Sequence, residues 1–158
     1  MNSSNNKIIF NKISKAEEDT NSLAIEFAEF IKNTYQEKGS IVIYLDGNLG
    51  LGKTTFVRFF LRALGYIGFV KSPTFTIVES YEIPELNNFK VHHFDLYRLS
   101  DPEELEYIGI DEYFENSISF IEWPCHGEGF IRYSDYNIKI SIEKQENQHV
   151  RNYVITKN

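Results

Sequence analysis

Cysteine is almost absent from this chain: Cys125 stands alone among 158 residues. A lone thiol cannot close an internal disulfide, so nothing here asks for an oxidising compartment. Positive charge is also scarce, with 16 Lys and Arg against 23 Asp and Glu and a net charge of −7. Gripping a phosphate backbone needs clustered Lys and Arg, so free nucleic acid is not expected as a stand-alone ligand. An acidic surface suits a basic partner, or simply solubility. No hydrophobic run is long enough to span a bilayer; the most apolar one, 56–70, is interrupted by Arg58 and Arg62. The start, Met1 to Asn6, is polar and lacks the apolar core of a signal peptide. The expected location is the cytoplasm, with no membrane association. Repeats, linker-like stretches and Cys/His clusters of zinc spacing are missing as well.

What is present is a globular composition, 42% apolar and 15% aromatic, enough for one sizeable core in a single domain over residues 1–158. The pattern alternates between strand and helix. Ile8 to Phe10 reads as a short edge strand. Ser14 and Glu17 have capping-box spacing, and Leu23, Phe27, Phe30, Ile31 and Tyr35 then share one helical face that Gly39 ends. Ile41 to Leu45 reads as a buried strand and Thr55 to Leu64 as a helix stopped by Gly65. Phe75 to Tyr81 and Val91 to Tyr97 read as strands joined by a short polar loop with Pro84 and two asparagines, hence antiparallel. Ser100 and Glu103 form a second capping box for a helix ending near Gly109. Ile118 to Trp123 is a further strand. Alternation at Ile138, Ile140 and Ile142, and at Tyr153 and Ile155, predicts a closing hairpin with one wet face.

The most specific feature is Gly47-Asn48-Leu49-Gly50-Leu51-Gly52-Lys53-Thr54, which fits G-x-x-x-x-G-K-[ST] between a strand and a helix. Glycines let the backbone wrap closely round phosphates with N–H groups pointing inward. The helix N-terminus, extending through Thr55, adds partial positive charge. Lys53 can reach the β- and γ-phosphates, and the Thr54 hydroxyl can ligate Mg²⁺.

Four residues outside the loop could share this chemistry. Asp95 ends an apolar strand, where a carboxylate can serve Mg²⁺ beside the phosphates; position alone also admits a turn residue or a salt-bridge partner for Arg98. Glu122, between Ile121 and Trp123, must be solvated, paired or on metal; an exposed rim carboxylate fits too. Thr74, in the rigid turn Lys71-Ser72-Pro73-Thr74, could sense a γ-phosphate as switch loops do, or could simply start the next strand. Trp123 is the only tryptophan, placed for core packing or for an interface. His92 and His93 face opposite ways on a strand and cannot share a metal, so at least one belongs on the surface. Glu103, Glu104 and Glu106 read as a solvated helix face.

Four blocks occur in order: Gly47–Thr55, Val70-Lys71-Ser72-Pro73-Thr74-Phe75-Thr76, His93-Phe94-Asp95-Leu96-Tyr97-Arg98-Leu99 and Ile121-Glu122-Trp123-Pro124. From about Ile8 onward, the chain resembles the TsaE (YjeE) family of small bacterial ATPases of tRNA threonylcarbamoyladenosine synthesis. The resemblance implies a compact α/β P-loop NTPase domain, a central mixed sheet flanked by helices, that binds ATP or ADP with Mg²⁺. It implies slow hydrolysis alone and work with the TsaB–TsaD pair, which modifies the adenosine next to the anticodon; tRNA would be met only through that complex. By the same resemblance Lys53 and the loop amides hold phosphates and Thr54 holds Mg²⁺. Asp95 and Glu122 are the two acids near the metal, Thr74 is switch-like, Trp123 matches the family's tryptophan, and Thr20 aligns with a position near the base. The chain departs from the family at Asn48, where an acid is common, and at Leu51, where a small residue is usual and whose side chain must point away from the phosphates. Cys125-His126 falls where the family varies, so neither residue receives a role.

Two other classes remain. A small-molecule kinase needs an acceptor pocket and usually a lid with paired arginines, whereas Arg98, Arg132 and Arg151 are scattered. A non-catalytic, nucleotide-dependent interaction module would differ only in needing no turnover. No N-K-x-D motif follows the loop to read guanine.

Overall fold

Seven strands form one mixed sheet in the order β1-β7-β6-β2-β5-β4-β3. Their ranges are β1 (Lys7–Ser14), β2 (Ile41–Asp46), β3 (Val78–Ile83), β4 (Phe89–Asp95), β5 (Ser117–Glu122), β6 (Tyr136–Gln145) and β7 (Gln148–Lys157). The helices are α1 (Glu17–Lys38), α2 (Lys53–Ala63) and, between β4 and β5, the single-turn helices α3 (Glu104–Tyr107) and α4 (Ile110–Tyr113). The structure, a computed structural model, describes residues 6–87 and 89–158. The polar start at Met1–Asn5 and Asn88 of the expected β3–β4 loop lie outside them. Strand β2 runs parallel to β5 and β6, and β4 parallel to β5. Strands β3, β7 and β1 are antiparallel additions. The expected antiparallel pair and closing hairpin are therefore both present.

Alternation sorts the sheet into two faces. Ile43, Leu45, Phe120, Ile138, Tyr153 and Ile155 point to the side covered by α1 and α2. Val42, Phe94 and Ile121 point to the side covered by Leu105, Ile110 and Phe114 of the α3–α4 region. Helix α1 buries Leu23, Phe27 and Ile31 as its spacing predicts, with Phe30 and Tyr35 half-buried against the same core. Phe27 contacts the rings of Phe10, Phe30, Phe56, Phe60 and Tyr136. Gly39 closes the helix at φ 71°, donating to the Tyr35 carbonyl at 2.8 Å.

Both capping boxes shift along the chain. Helix α1 is capped at Ala16, where the Asp19 carboxylate accepts from the Lys15 and Ala16 N–H groups at 2.8 and 3.2 Å. Ser14 instead donates to the Ala16 carbonyl at 2.9 Å. Farther on, Glu104 rather than Glu103 accepts from the Ser100 and Asp101 N–H groups. The helix expected to end near Gly109 does so as α3, shorter than its capping box suggested, and Gly109, φ 70°, separates it from α4. The edge strand β1 is longer than its apolar core suggested, because Asn11 to Ser14 continue pairing with β7.

The strand expected over Phe75–Tyr81 begins only at Val78. Ile77 sits at φ 68°, a left-handed conformation unfavourable for a β-branched residue. Its backbone is bound from both sides: Ile77 N donates to the Pro73 carbonyl at 2.9 Å, and Ile77 O accepts from Asp95 N at 2.8 Å. Tertiary pairing to the end of β4 overrides the local β preference of Phe75-Thr76-Ile77. Phe75 is left 81% exposed, with the Arg98 guanidinium 4.3 Å over its ring.

The two histidines do face opposite ways, yet neither is on the surface; both are buried. His93 points to the α2 side. His92 meets the Tyr113 ring and shares a 2.7 Å hydrogen bond with Ser80 through Nδ1. Burial, with some help from Lys90, pushes His92 down to about 4. Between its ordinary value near 6.5 and about 4, the unfolded chain holds a proton that the folded chain refuses. Stability contributed by His92 is thus complete above about pH 6.5 and is lost as pH falls toward 4. Denaturant titrations at pH 7 and pH 4.5 should show a loss on the order of 2–3 kcal/mol that His92→Phe lacks.

Candidate functional site

Parallel pairing brings the C-terminal ends of β2, β4 and β5 together in front of α2. Asp95 and Glu122 are register partners, and Leu45 of β2 pairs with Glu122 on the other side. Period-two alternation puts His93 and Asp95 on the same face. The glycine loop, 47–52, leaves β2 at this point, and Lys53 opens α2 beside Glu122.

The glycines are needed for different reasons. Gly50 and Gly52 adopt φ 79° and 93°, where side chains are strained. A Cβ on Gly47 would lie 3.1 Å from the Ile140 carbonyl, so the loop packs tightly on β6. Leu51 is buried in the core, pointing inward as the unusual residue there requires. Asn48, Leu49 and Gly50 are exposed, and Thr54 and Thr55 are half-buried at the start of α2. The loop thus presents backbone and hydroxyls outward while its apolar side chain anchors it.

Buried charge dominates the centre. Lys53 is 6% exposed; its Nζ donates to the Gly47 carbonyl at 2.7 Å and lies 3.4 Å from Glu122 Oε2. Glu122, 5% exposed, also receives a 2.8 Å hydrogen bond at Oε1 from His93 Nε2. The Nδ1 atom of His93 is buried without a partner. A bare ring nitrogen is cheaper to leave there than an N–H, so the proton belongs on Nε2, donating to the carboxylate. Burial pushes the Glu122 carboxyl up, but the hydrogen bond from His93 and the nearby ammonium of Lys53 outweigh it, and the net shift is downward. Glu122 is therefore neither a rim carboxylate nor a spare one.

Asp95 is likewise buried, and Arg98 is not its partner. Its Oδ1 accepts from the Tyr97 N–H at 3.0 Å and its Oδ2 from the Thr74 hydroxyl at 3.2 Å. Thr74 is also 2.8 Å from the Ser72 hydroxyl. The 72–77 turn is thereby fastened to the end of β4 through both Thr74 and Ile77.

Trp123 sits in the left-handed region, φ 55°. Its ring lies 5.2 Å from Lys53 Nζ and stacks with His126 at 5.8 Å, with Tyr97 at 5.0 Å. With Pro124 and Cys125 it walls a cleft of about 520 Å³ that opens beside Gly47, Asn48 and Lys53 on the sheet face away from α1 and α2. Cys125 is exposed and unpaired. Thr20 stands apart from the acids. It is buried at the start of α1, with its hydroxyl 2.7 Å from Ser14 and 3.3 Å from the Tyr153 hydroxyl.

The donor set suits a polyphosphate with a hard cation. Lys53 is held by two acceptors that a phosphate could replace. Among the described residues, no group of three His, Cys, Asp or Glu could cage a metal alone. Asp95, Glu122 and Thr54 offer a few oxygens of the kind Mg²⁺ uses when phosphates and waters complete its shell. Sequence reasoning missed His93 by treating the histidine pair as a surface feature. The signal was its two-residue spacing from Asp95, which places both on one strand face.

Trp123, being the sole tryptophan, reports on Lys53 directly. Adding MgADP should change its emission as the ammonium moves to phosphate, and Lys53→Ala should remove that response. A fluorescence titration without any change in the wild type would separate Lys53 from nucleotide binding.

Comparison with known proteins agrees with this architecture. A family model described as "Threonylcarbamoyl adenosine biosynthesis protein TsaE" matches residues 14–153. The chain is 47% identical over 116 residues to the tRNA threonylcarbamoyladenosine biosynthesis protein TsaE of Haemophilus influenzae, covering 73% of this chain and 71% of that one. It is 38% identical over 148 residues to the protein of the same name from Aquifex aeolicus, covering 89% and 93%. The crystal structure of Bacillus subtilis YdiB matches with a TM-score of 0.68 at 24% identity, covering 99% of this chain and 90% of that one; this likeness speaks for the fold. Among the described residues, no helix is long and apolar enough to cross a membrane. Matched over most of its length by the family model and by relatives well above 30% identity, the chain belongs to the TsaE family.

Proposed function

We propose that this protein binds and slowly hydrolyses ATP with Mg²⁺ as the nucleotide-dependent component of tRNA threonylcarbamoyladenosine synthesis, acting with a TsaB–TsaD pair in the cytoplasm. The observation that carries the reading is the buried Lys53–Glu122–His93 chain at the mouth of the glycine loop, beside Asp95. Membership of a family whose relatives bear that pathway in their names supplies the biological setting.

In this reading Lys53 leaves the Gly47 carbonyl and Glu122 to meet the β- and γ-phosphates. The loop amides of 47–52 and the N-terminus of α2 supply further positive potential. Glu122 stays ionised because His93 still holds Oε1, and its Oε2 becomes free toward the phosphates. Thr54, with Asp95 and Glu122 close by, would hold Mg²⁺, which would supply positive charge to the phosphates. Thr74 already touches Asp95, so the 72–77 turn is placed to sense what occupies the site and to pass that state to a partner. The acidic surface keeps tRNA at a distance, so the tRNA is reached through the larger complex.

Lys53→Ala should abolish turnover. Asp95→Ala and Glu122→Ala should each lower the ATPase rate by a factor of about 10² or more, as loss of one electrostatic group often does. Phosphate-release assays check these, and a Glu122→Ala protein of full activity would remove that residue from the chemistry. Gel filtration with the TsaB–TsaD pair under ATP, ADP and no nucleotide tests the coupling. Association should depend on nucleotide, and Thr74→Ala should weaken it while ADP affinity stays nearly unchanged.

A further inference from the structure

Charge is spread unevenly along this acidic chain. Residues 53–78 hold Lys53, Arg58, Arg62 and Lys71 and no Asp or Glu; all 23 acids lie elsewhere in a chain of net charge −7. The same stretch turns large apolar side chains outward. Ile67 is 92% exposed, Phe69 77% and Phe75 81%. Single exposed apolar residues are ordinary, but three on one short run make a patch that folding does not explain. Arg62 and Lys71 are exposed on the same stretch, and the Arg98 guanidinium covers the Phe75 ring.

The backbone beneath these side chains is pinned. Val70 and Pro73 are buried. The Tyr66 ring packs on Tyr81 at 5.1 Å, and its hydroxyl donates to the Phe69 carbonyl at 3.3 Å. The Tyr81 hydroxyl accepts from the Lys71 N–H at 3.2 Å and donates to the Lys71 carbonyl at 3.3 Å. Arg62 donates to the Tyr66 carbonyl at 2.8 Å. Two acids come near from neighbouring segments. Glu79 accepts from the Thr76 hydroxyl at 2.9 Å, and the Glu85 carboxylate lies against Gly65. The run leads into β3, the last strand of the sheet, so no further strand of the sheet lies beyond it.

Resting on the reading that this protein acts by docking on a larger protein, we propose that the 67–75 run is its docking face, and that the occupant is a protein surface with apolar hollows inside an acidic rim. Aromatic anchors flanked by arginine are the residues that carry protein interfaces. A pinned backbone presents them with little ordering cost, and Lys71, with Arg62, steers an acidic partner to them. A nucleic acid fits less well. Ile67 offers no ring for a base, and Arg62 and Arg98 are already engaged by Tyr66 and Phe75, which leaves few cations for a phosphate backbone. Phe75 directly follows Thr74, which donates to Asp95. A partner seated here thus touches the turn that is fastened to the nucleotide site.

The test pairs an apolar change with a charge change. The double variant Ile67→Ser/Phe69→Ser removes two anchors, and Lys71→Glu reverses the charge beside them. Both proteins should melt no lower than wild type and bind MgADP with unchanged affinity by calorimetry. Surface plasmon resonance with the TsaB–TsaD pair and MgATP should then show association weakened about 10–100-fold in the double variant, as for loss of interface anchors. Lys71→Glu should weaken it about 10-fold, and raising the salt concentration should narrow its gap from wild type. Wild-type affinity retained in both variants would overturn the docking face while leaving the functional reading intact. A double variant that melts well below wild type would also overturn it, by showing that these side chains support the fold. Sedimentation of the protein alone and a gel shift with free tRNA cover the other occupants. Self-association, or tRNA binding, that the same substitutions abolish would assign the face to a second copy or to RNA and overturn the proposal. If wild type does not associate with the pair at all, the functional reading falls first, and the docking face with it.

Discussion

A buried ammonium must always have company, and Lys53 sets that requirement for the whole site. Desolvating a lysine costs heavily unless an anion or strong acceptors replace water. Glu122 and the Gly47 carbonyl do so here. Glu122 is then a buried carboxylate with its own requirement, met by His93. The chain of obligation ends at His93 Nδ1, a bare nitrogen that needs nothing further. Each member is fixed by the one before it, so the site is ordered around Lys53 before any ligand arrives.

That ordering depends on the sheet. Three parallel strands end at the same level only because β2, β4 and β5 pair in the register Leu45↔Glu122↔Asp95. A slip of one residue in β5 would turn Glu122 to the α3–α4 side and bring Ile121 to Lys53. The aromatic packing of Phe60 on Phe120 and of Phe27 across α1 and α2 holds that register. Core packing and charge placement are thus the same constraint seen at two ends of β5.

Much of this was legible in the residues. The glycine loop, the face of α1 and the closing hairpin follow from spacing and alternation, because each depends on neighbours close in sequence; for the two acids the residues alone left other roles open, and only the family resemblance pointed to a shared site. The losses came where distant contacts decide. Phe75-Thr76-Ile77 looks like strand, yet the end of β4 claims the Ile77 carbonyl and the Thr74 hydroxyl and bends the segment into a turn. Ser14 looks like a cap, yet its hydroxyl turns to the Ala16 carbonyl and Thr20, and Asp19 does the capping. His93 carries no motif at all. It is placed by β4 alternation, and topology alone brings it to Glu122.

The two flanks of β2 divide the work. On the β4–β5 side lie the acids, Thr74 and a turn strained at Ile77, with Asp95 tied to Thr74 and to Ile77 by single hydrogen bonds of about 3 Å. On the β6–β7 side lie a long hairpin, a packed Tyr153–Phe56 stack and a loop glycine pressed on Ile140. The first flank is held by a few exchangeable polar contacts, the second by extensive apolar packing. Strain at Ile77 persists while Asp95 keeps both of its partners there. A change in the charge around Asp95 therefore has one compliant element to act on, the 72–77 turn, with the rest of the sheet serving as its fixed support.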